Sequence, residues 1–324
     1  MTGWRCKRFI VTLATDLHCG ARPLGFVART LPFVPAHLPW YAVAAQLPRL
    51  LGWEGQFDSY QKVISRLEPV LRFSPFFPLA ANDKPLLPWG EDMDSIEADL
   101  LGSRSRAALN YGTRGALENR LFEIETLLAR SRSGKPTRLL GCCFWRPMED
   151  ELTMTEAGEL IGAMGGDRRK HPLVDLLRNS QWGGQRNQGM GAIAEVEEAK
   201  TDDAADAESN PFFQRLEEGA AEFPRLALAK EQRGLFYLRY QDGSEKHIMG
   251  RLMPLAGRRH SRQESGLAAE SAVVVWDIGW RLRDAAAAGN ITIDLEDRRY
   301  ASLGENAFGE ENPLDANNLI EELP

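Results

Sequence analysis

Between an amphipathic helical stretch and a strand-like one lies Trp182 to Ile193, WGGQRNQGMGAI, with four glycines, an arginine and amide side chains in a dozen positions. Glycine has no Cβ and visits φ > 0 freely, so Gly183, Gly184, Gly189 and Gly191 can turn the chain tightly and bare consecutive N–H groups to an anion. Arg186 adds charge and a two-pronged donor, and Gln185, Asn187 and Gln188 add amides. The chemistry on offer is phosphate binding. Two better-known glycine loops do not fit. The dinucleotide fingerprint G-x-G-x-x-G follows a strand and opens a helix, whereas here the glycines run G-G-x-x-x-x-G-x-G and the loop follows a helix. The nucleotide-hydrolase loop ends in Gly-Lys-Ser/Thr, and no lysine or hydroxyl stands there. A mobile surface loop without a ligand is the plain alternative.

Other chemistry is sparse. There are five histidines. Of these, His18, just after a first strand, and His37, just before a first helix, are the ones that could act as a general base. The four cysteines, Cys6, Cys19, Cys142 and Cys143, show no C-x-x-C spacing and no paired histidine, which argues against structural zinc and disulfides. No cofactor or metal is expected. Arg22, Arg29, Arg104, Arg106 and Arg114 are further cations for a polyanion, each a solvated surface arginine when taken alone.

Net charge is −7, which at first opposes a nucleic-acid partner. Its distribution points the other way. The segment Glu195 to Glu222 carries −8 and the segment from Asp294 to the end −7, leaving +8 on the rest of the chain. Such segregation permits an electrostatic footprint for nucleic acid. No cationic leader precedes an apolar run, and the most apolar stretch, Leu31 to Leu51, is broken by Pro32, Pro35, Pro39 and Pro48. A cytoplasmic protein without a membrane span is expected.

The elements that would position the loop read as follows. Arg8 to Leu17 is a first strand. Pro39 opens a helix with Trp40, Val43, Ala44 and Leu47 on one face, ended by Pro48, and Tyr60, Val63, Ile64 and Leu67 mark a second helix. Val70 to Phe73 and the extended SPFFP follow, then a proline-rich loop over 82–90 and a short helix around 93–101. The arginine-dotted GSRSRAALNYGTRGALENR lacks an apolar period and reads as an irregular excursion. Leu121 to Leu128 and Arg138 to Trp145 read as a hairpin joined by SRSGKP. Thr153 and Glu156 form a capping box for a helix through Leu160, Ile161 and Met164. Pro172 starts a helix with Leu173, Leu176 and Leu177 that runs into the glycine loop, and Ala192 to Val196 is the strand that leaves it. Further on, strands flank Asp242-Gly243 as a hairpin, Arg251 to Arg262 is a second basic loop, and 272–282 is a last strand.

The fold class expected is α+β: tandem ferredoxin-like (RRM-like) units with antiparallel sheets, the second carrying the glycine-rich loop. Residues 1–118 would form the first unit and 119–300 the second, with an acidic insertion at about 199–210 and an acidic tail over 301–324.

A first strand ending near a glycine, a proline-bearing approach to the first helix, repeated ferredoxin-like units and a late GG-x-R-x-x-G-x-G loop resemble the RAMP superfamily of CRISPR effector subunits. SPFFP and the leucine-rich helix running into GGQRNQGMG are most similar to the type III subunit that caps the 5′ end of the guide. The resemblance covers roughly residues 8 to 195. Gln188 departs from it where a second basic residue is common, FVPAHLPW lacks the family's Pro-Gly-Ser, and the acidic insertion is unexpected. The resemblance implies a non-catalytic RNA-binding subunit that holds the repeat-derived 5′ tag of CRISPR RNA and meets the large signature subunit and a backbone RAMP subunit. The loop residues 183–189 and Gly191 would hold phosphate, ribose and base edges, while Trp182 and Met190 serve either as stacking surface or as core.

Two alternatives remain open. RAMP relatives include metal-independent endoribonucleases that process CRISPR RNA precursors, for which His18 or His37 would be the base. A generic ferredoxin-like RNA-binding protein is the other, although no K/R-G-F/Y-G/A-F-V run appears.

Overall fold

The computed structural model describes residues 3–52, 59–109, 112–114, 116–148, 152–155, 157–164, 167–199, 212, 215–217, 222–228, 233–242, 244–260, 265–282 and 291–303. The elements of the first part are β1 (Arg5–Leu13), β2 (Val27–Ala28), α1 (His37–Leu50), α2 (Ser59–Leu67), β3 (Leu71–Phe73), β4 (Phe77–Pro78), α3 (Gly90–Asp99), β5 (Leu101–Leu109), β6 (Ala116–Leu127), β7 (Arg138–Trp145), β8 (Leu152–Met154), β9 (Glu159–Met164), β10 (Asp167–Pro172), α4 (Leu173–Arg178) and β11 (Ile193–Glu198). The chain forms two compact units, 1–201 and 202–324. Few helices and several antiparallel sheets make the fold α+β, as expected of tandem ferredoxin-like units.

In the first unit the main sheet runs β11-β1-β7-β3, with β4 also on β7, and every pairing is antiparallel. With α1 between β1 and β3 and α4 between β7 and β11, this is the crossed strand order of one β-α-β-β-α-β unit. The expected boundary at 118/119 falls within β6. β1 pairs with both β7 and β11, so residues 5–13, 138–145 and 193–198 share one sheet, and the glycine loop falls in the first unit.

The helices cover one face of this sheet because their apolar residues recur at helical spacing. Trp40, Val43 and Leu47 of α1, Val63 and Leu67 of α2, and Leu173, Leu176 and Leu177 of α4 join Phe9, Val11, Leu139, Cys143 and Trp145 in a single core. The Trp40 Nε1–H donates to Leu71 O at 3.0 Å, satisfying the one polar atom of a fully buried indole. Each such side chain contributes roughly 1.5–3 kcal/mol of burial. Pro48 does not end α1, which runs to Leu50; it sits in the last turn, where its missing N–H costs one bond, and the Leu51 N–H still reaches Leu47 O at 2.8 Å.

Three further expectations are corrected in this unit. The described residues of the arginine-dotted segment are largely strand: β5 and β6 pair antiparallel, with β2 parallel on β6, in a three-stranded arm sheet, while residues 110, 111 and 115 lie outside the described residues. Its residues lack an apolar period because much of this sheet is solvated, and periodicity reports burial rather than pairing. The turn in SRSGKP is real, with Ser131 N–H on Lys135 O, but β6 and β7 part into different sheets, so no hairpin joins them. The helix expected from Thr153 is instead the meander β8-β9-β10; Glu156 lies outside the described residues. Gly158 at φ +78° and Gly162, where a Cβ would stand 1.8 Å from Leu51 Cδ2, disfavour helix and admit close sheet packing.

The second unit contains β12 (Arg215–Leu216), β13 (Arg225–Leu228), β14 (Leu238–Arg239), β15 (Ile248–Met249), β16 (Leu252–His260), β17 (Ser265–Trp276), β18 (Arg281–Leu282), β19 (Ile291–Asp294) and β20 (Ser302–Leu303). These form the sheets β12-β13-β19-β20, β14-β17-β16 and β15-β18. Buried Trp280 donates to Phe236 O at 3.0 Å, and Arg225 grips Asp294 with two hydrogen bonds of 2.7 and 2.8 Å. The expected basic loop from Arg251 is strand β16 as far as His260. The strands flanking Asp242 do not pair with each other, since β14 joins β17 and β15 joins β18; Gly243 lies outside the described residues. So do residues 200–210 of the acidic insertion and 304–324 of the tail. Among the described residues no helix is long and apolar enough to cross a membrane.

Candidate nucleic-acid interface

The glycine loop is a closed excursion from the junction of α4 and β11. Its base is pinched by the Trp182 N–H bonding Gly191 O at 2.9 Å and by a bridge between Gln181 and Ala192. One side is bracketed by the segment that follows β1. Ala192 N–H donates to Thr15 Oγ1 (2.9 Å), Gly191 N–H to Asp16 O (2.9 Å) and Gly184 N–H to His18 O (2.8 Å).

Two glycines are required by this closeness. At Gly191, φ is +76° and a Cβ would stand 1.9 Å from Trp182 O; at Gly183, φ is +74° and a Cβ would stand 2.4 Å from His18 O. No other residue fits either place without moving backbone.

The apex is different. Gln185 takes a left-handed conformation at φ +57°, residues Arg186–Gln188 make one 3-10 turn, and Gly189 leaves at φ +79° with open space where a Cβ would be. Arg186, Asn187 and Gln188 are exposed. Among the described residues no hydrogen bond or ion pair engages the side chains of Arg186 or Asn187, whereas Gln188 Nε2 donates to Gln185 Oε1 at 2.7 Å. Gln188, the residue that departs from the resemblance, thus staples the turn. Trp182 and Met190 are core: the indole is fully buried, donates to Ser180 Oγ at 2.7 Å and meets Phe76 edge-on at 5.0 Å.

The arginine candidates separate into two groups. Arg104 on β5 is ion-paired with Asp16, whose Oδ1 also accepts the Ala129 N–H at 2.9 Å and whose carbonyl holds Gly191. Arg29 lies 3.7 Å from Glu125, which accepts the Thr30 N–H at 2.9 Å. These two are tied to the loop's bracket. Arg106 lies on β5 and Arg114, at φ +55°, in the β5–β6 connection, whereas Arg22 is exposed in the irregular chain before β2.

His18 is drawn in by position: its ring Nδ1 is 2.8 Å from Glu125 O, and a Cβ on Gly184 would meet its Cδ2 at 3.2 Å. A carbonyl only accepts, so Nδ1–H is the donor in this contact. His37 instead begins α1, its ring edge-on to Tyr41 at 6.4 Å. Among the described residues no three His, Cys, Asp or Glu side chains are grouped to hold a metal ion, and the four cysteines are free thiols. Burial pushes the Cys19 and Cys143 thiols up.

Fold and loop together define an α+β protein whose ferredoxin-like unit presents a glycine-closed loop with Arg186 uncommitted among the described residues. No protein-family model matches the chain, and no curated protein matches it. Similar solved structures are subunits of type III CRISPR complexes. A chain of the type III-B Cmr-beta complex bound to cognate target RNA and AMPPnP is 11% identical, covering 85% of this chain and 86% of its own at a TM-score of 0.41. A chain of the Csm3–Csm4 subcomplex of the type III-A interference complex is 10% identical, covering 88% and 94%, at 0.37.

Proposed function

We propose that this chain is an RNA-binding, non-catalytic subunit of a type III CRISPR-Cas effector complex, in which the glycine loop holds the repeat-derived 5′ tag of the guide RNA. The observation that carries the reading is the loop itself. It is anchored on both flanks by backbone hydrogen bonds, yet it sends Arg186 and Asn187 into solvent with no protein partner among the described residues. A rigid base with an unneutralised guanidinium at its apex suits a phosphate, which a guanidinium binds by two parallel bonds. Asn187 is placed to reach a ribose hydroxyl or a base edge. The large signature subunit and a backbone RAMP subunit are the proposed protein neighbours, from the resemblance of the loop and its preceding helix. Purifying the assembly from its native cells and sequencing the bound RNA tests this directly. Recovery of guide RNAs with a shared 5′ repeat end supports it, and an assembly without such RNA overturns it.

A second reading has one observation in its favour. His18, tethered at Nδ1 beside Gly184, could serve as the base of a metal-independent endoribonuclease acting through the 2′-hydroxyl. Specific cleavage of repeat RNA by the purified chain, abolished in His18→Ala, would replace the binding reading with this one.

A further inference from the structure

The arm sheet carries a feature that no motif announced. Among the eight large hydrophobic side chains exposed in the described structure, Leu24, Phe26, Leu117, Leu121 and Phe122 belong to this one sheet and its adjoining turns. Concentrated exposed apolar surface marks an interaction site.

Register sorts these residues by face. On β5, Arg104 and Arg106 stand two apart, and their cross-strand partners on β6 are Ile124 and Phe122. Alternation therefore puts Arg104, Arg106, Phe122 and Ile124 on one face of that pair and Glu123 and Glu125 on the other. Phe26 directly precedes β2, and its carbonyl accepts the Glu123 N–H at 3.1 Å, which seats it alongside β6 next to Phe122. Phe26 is 64% exposed and Phe122 40%, and among the described residues neither ring contacts another aromatic ring or a cation.

We infer that Phe26 and Phe122, with Arg106 beside Phe122, form a stacking platform for unpaired bases of a single-stranded RNA. The ligand class rests on the RNA-binding reading above; the place and the residues are new to it. Charge complementarity decides the occupant. Between Gly102 and Arg106 on β5 and between Phe122 and Thr126 on β6, the face sets the Phe122 ring beside the Arg106 guanidinium and the two strands place no carboxylate on it, whereas a protein partner would need acids to meet Arg106. A nucleic acid brings both matching parts: bases for the rings and phosphates for the arginine. The strand must be single, because a base inside a duplex keeps its faces against its neighbours. Arg104, on the same face, is ion-paired to Asp16, whose carbonyl holds Gly191, so the platform joins the base of the glycine loop.

The test is fluorescence anisotropy on the full chain with a short labelled oligouridine and with the same backbone made abasic. Phe122→Ala and Phe26→Ala should each weaken oligouridine binding about fivefold or more, leave abasic binding and the salt slope unchanged, and be rescued by Phe122→Trp. Arg186→Ala should weaken both probes and flatten the slope. If the alanine variants bind oligouridine like the unaltered chain, or lose both probes equally, the platform is overturned while the loop reading stands on Arg186. If the alanine variants instead change only the sedimenting mass of the protein, the face is a protein contact and the proposal falls. Weakened binding in the phenylalanine variants with none in Arg186→Ala keeps the platform and removes the loop.

Discussion

The glycine loop and the arm sheet meet at Asp16 yet are built on opposite principles. In the loop, backbone touches backbone: Gly183 lies against His18 O and Gly191 against Trp182 O, so the shape depends on what is missing from two residues. In the arm sheet, ladder hydrogen bonds hold strands on which Ile124, Thr126 and Leu127 are buried but many other side chains face solvent, so stability is insensitive to those exposed ones while recognition is not. It follows that substitutions in the loop's base should act through folding, and those at its apex and on the arm through binding.

Gly191→Ala should be the most damaging single change, costing about 3 kcal/mol or more, because a Cβ 1.9 Å from Trp182 O cannot be relieved by a rotamer. Urea unfolding would register it as a lower midpoint. A midpoint near that of the unaltered chain would remove the distinction between the loop's base and its apex. Gly189→Ala, with the same sign of φ but open space around the Cβ, should cost only about 1–2 kcal/mol of left-handed strain. The pair of midpoints thus separates crowding from conformation. Arg186→Ala should leave the midpoint in place and reduce the slope of log K against log salt by about one phosphate contact. Asp16→Asn is the finest probe, since it can keep the acceptor for Ala129 N–H while removing the charge opposite Arg104. A loss of about 1 kcal/mol or less in stability is expected with tighter, more salt-sensitive RNA binding. Unchanged RNA binding would show that Arg104 contributes only to the fold.

Much of the site's frame was legible. Helices α1, α2 and α4 showed because their buried residues recur at helical spacing, and β1 and β11 because apolar positions border the loop they serve. The glycine cluster was visible as well, but its four members looked equivalent. Only the tertiary contacts distinguish Gly183 and Gly191, crowded by the chain's own carbonyls, from Gly189 at the open apex. The arm escaped notice for a related reason. Solvated strands carry no burial period, and Phe26 and Phe122 come from distant parts of the sequence, brought alongside by the Glu123 N–H on Phe26 O, a pairing that no spacing rule anticipates. The meander β8-β9-β10 reads as helix in the sequence because Thr153 imitates a helix cap, whereas Gly158 and Gly162 favour sheet.

By itself the sequence determined which side chains are available for binding: one arginine within a glycine cluster, amides beside it, and a basic remainder outside two acidic segments. These are matters of composition and local order, and composition is complete before folding. Tertiary structure alone decided which of those groups remain free. Arg104 is taken up by Asp16 and Gln188 by Gln185, whereas Arg186 is left open among the described residues. Whether a charge is spent internally or offered to a ligand depends on which distant carboxylate or carbonyl the fold brings within hydrogen-bonding reach.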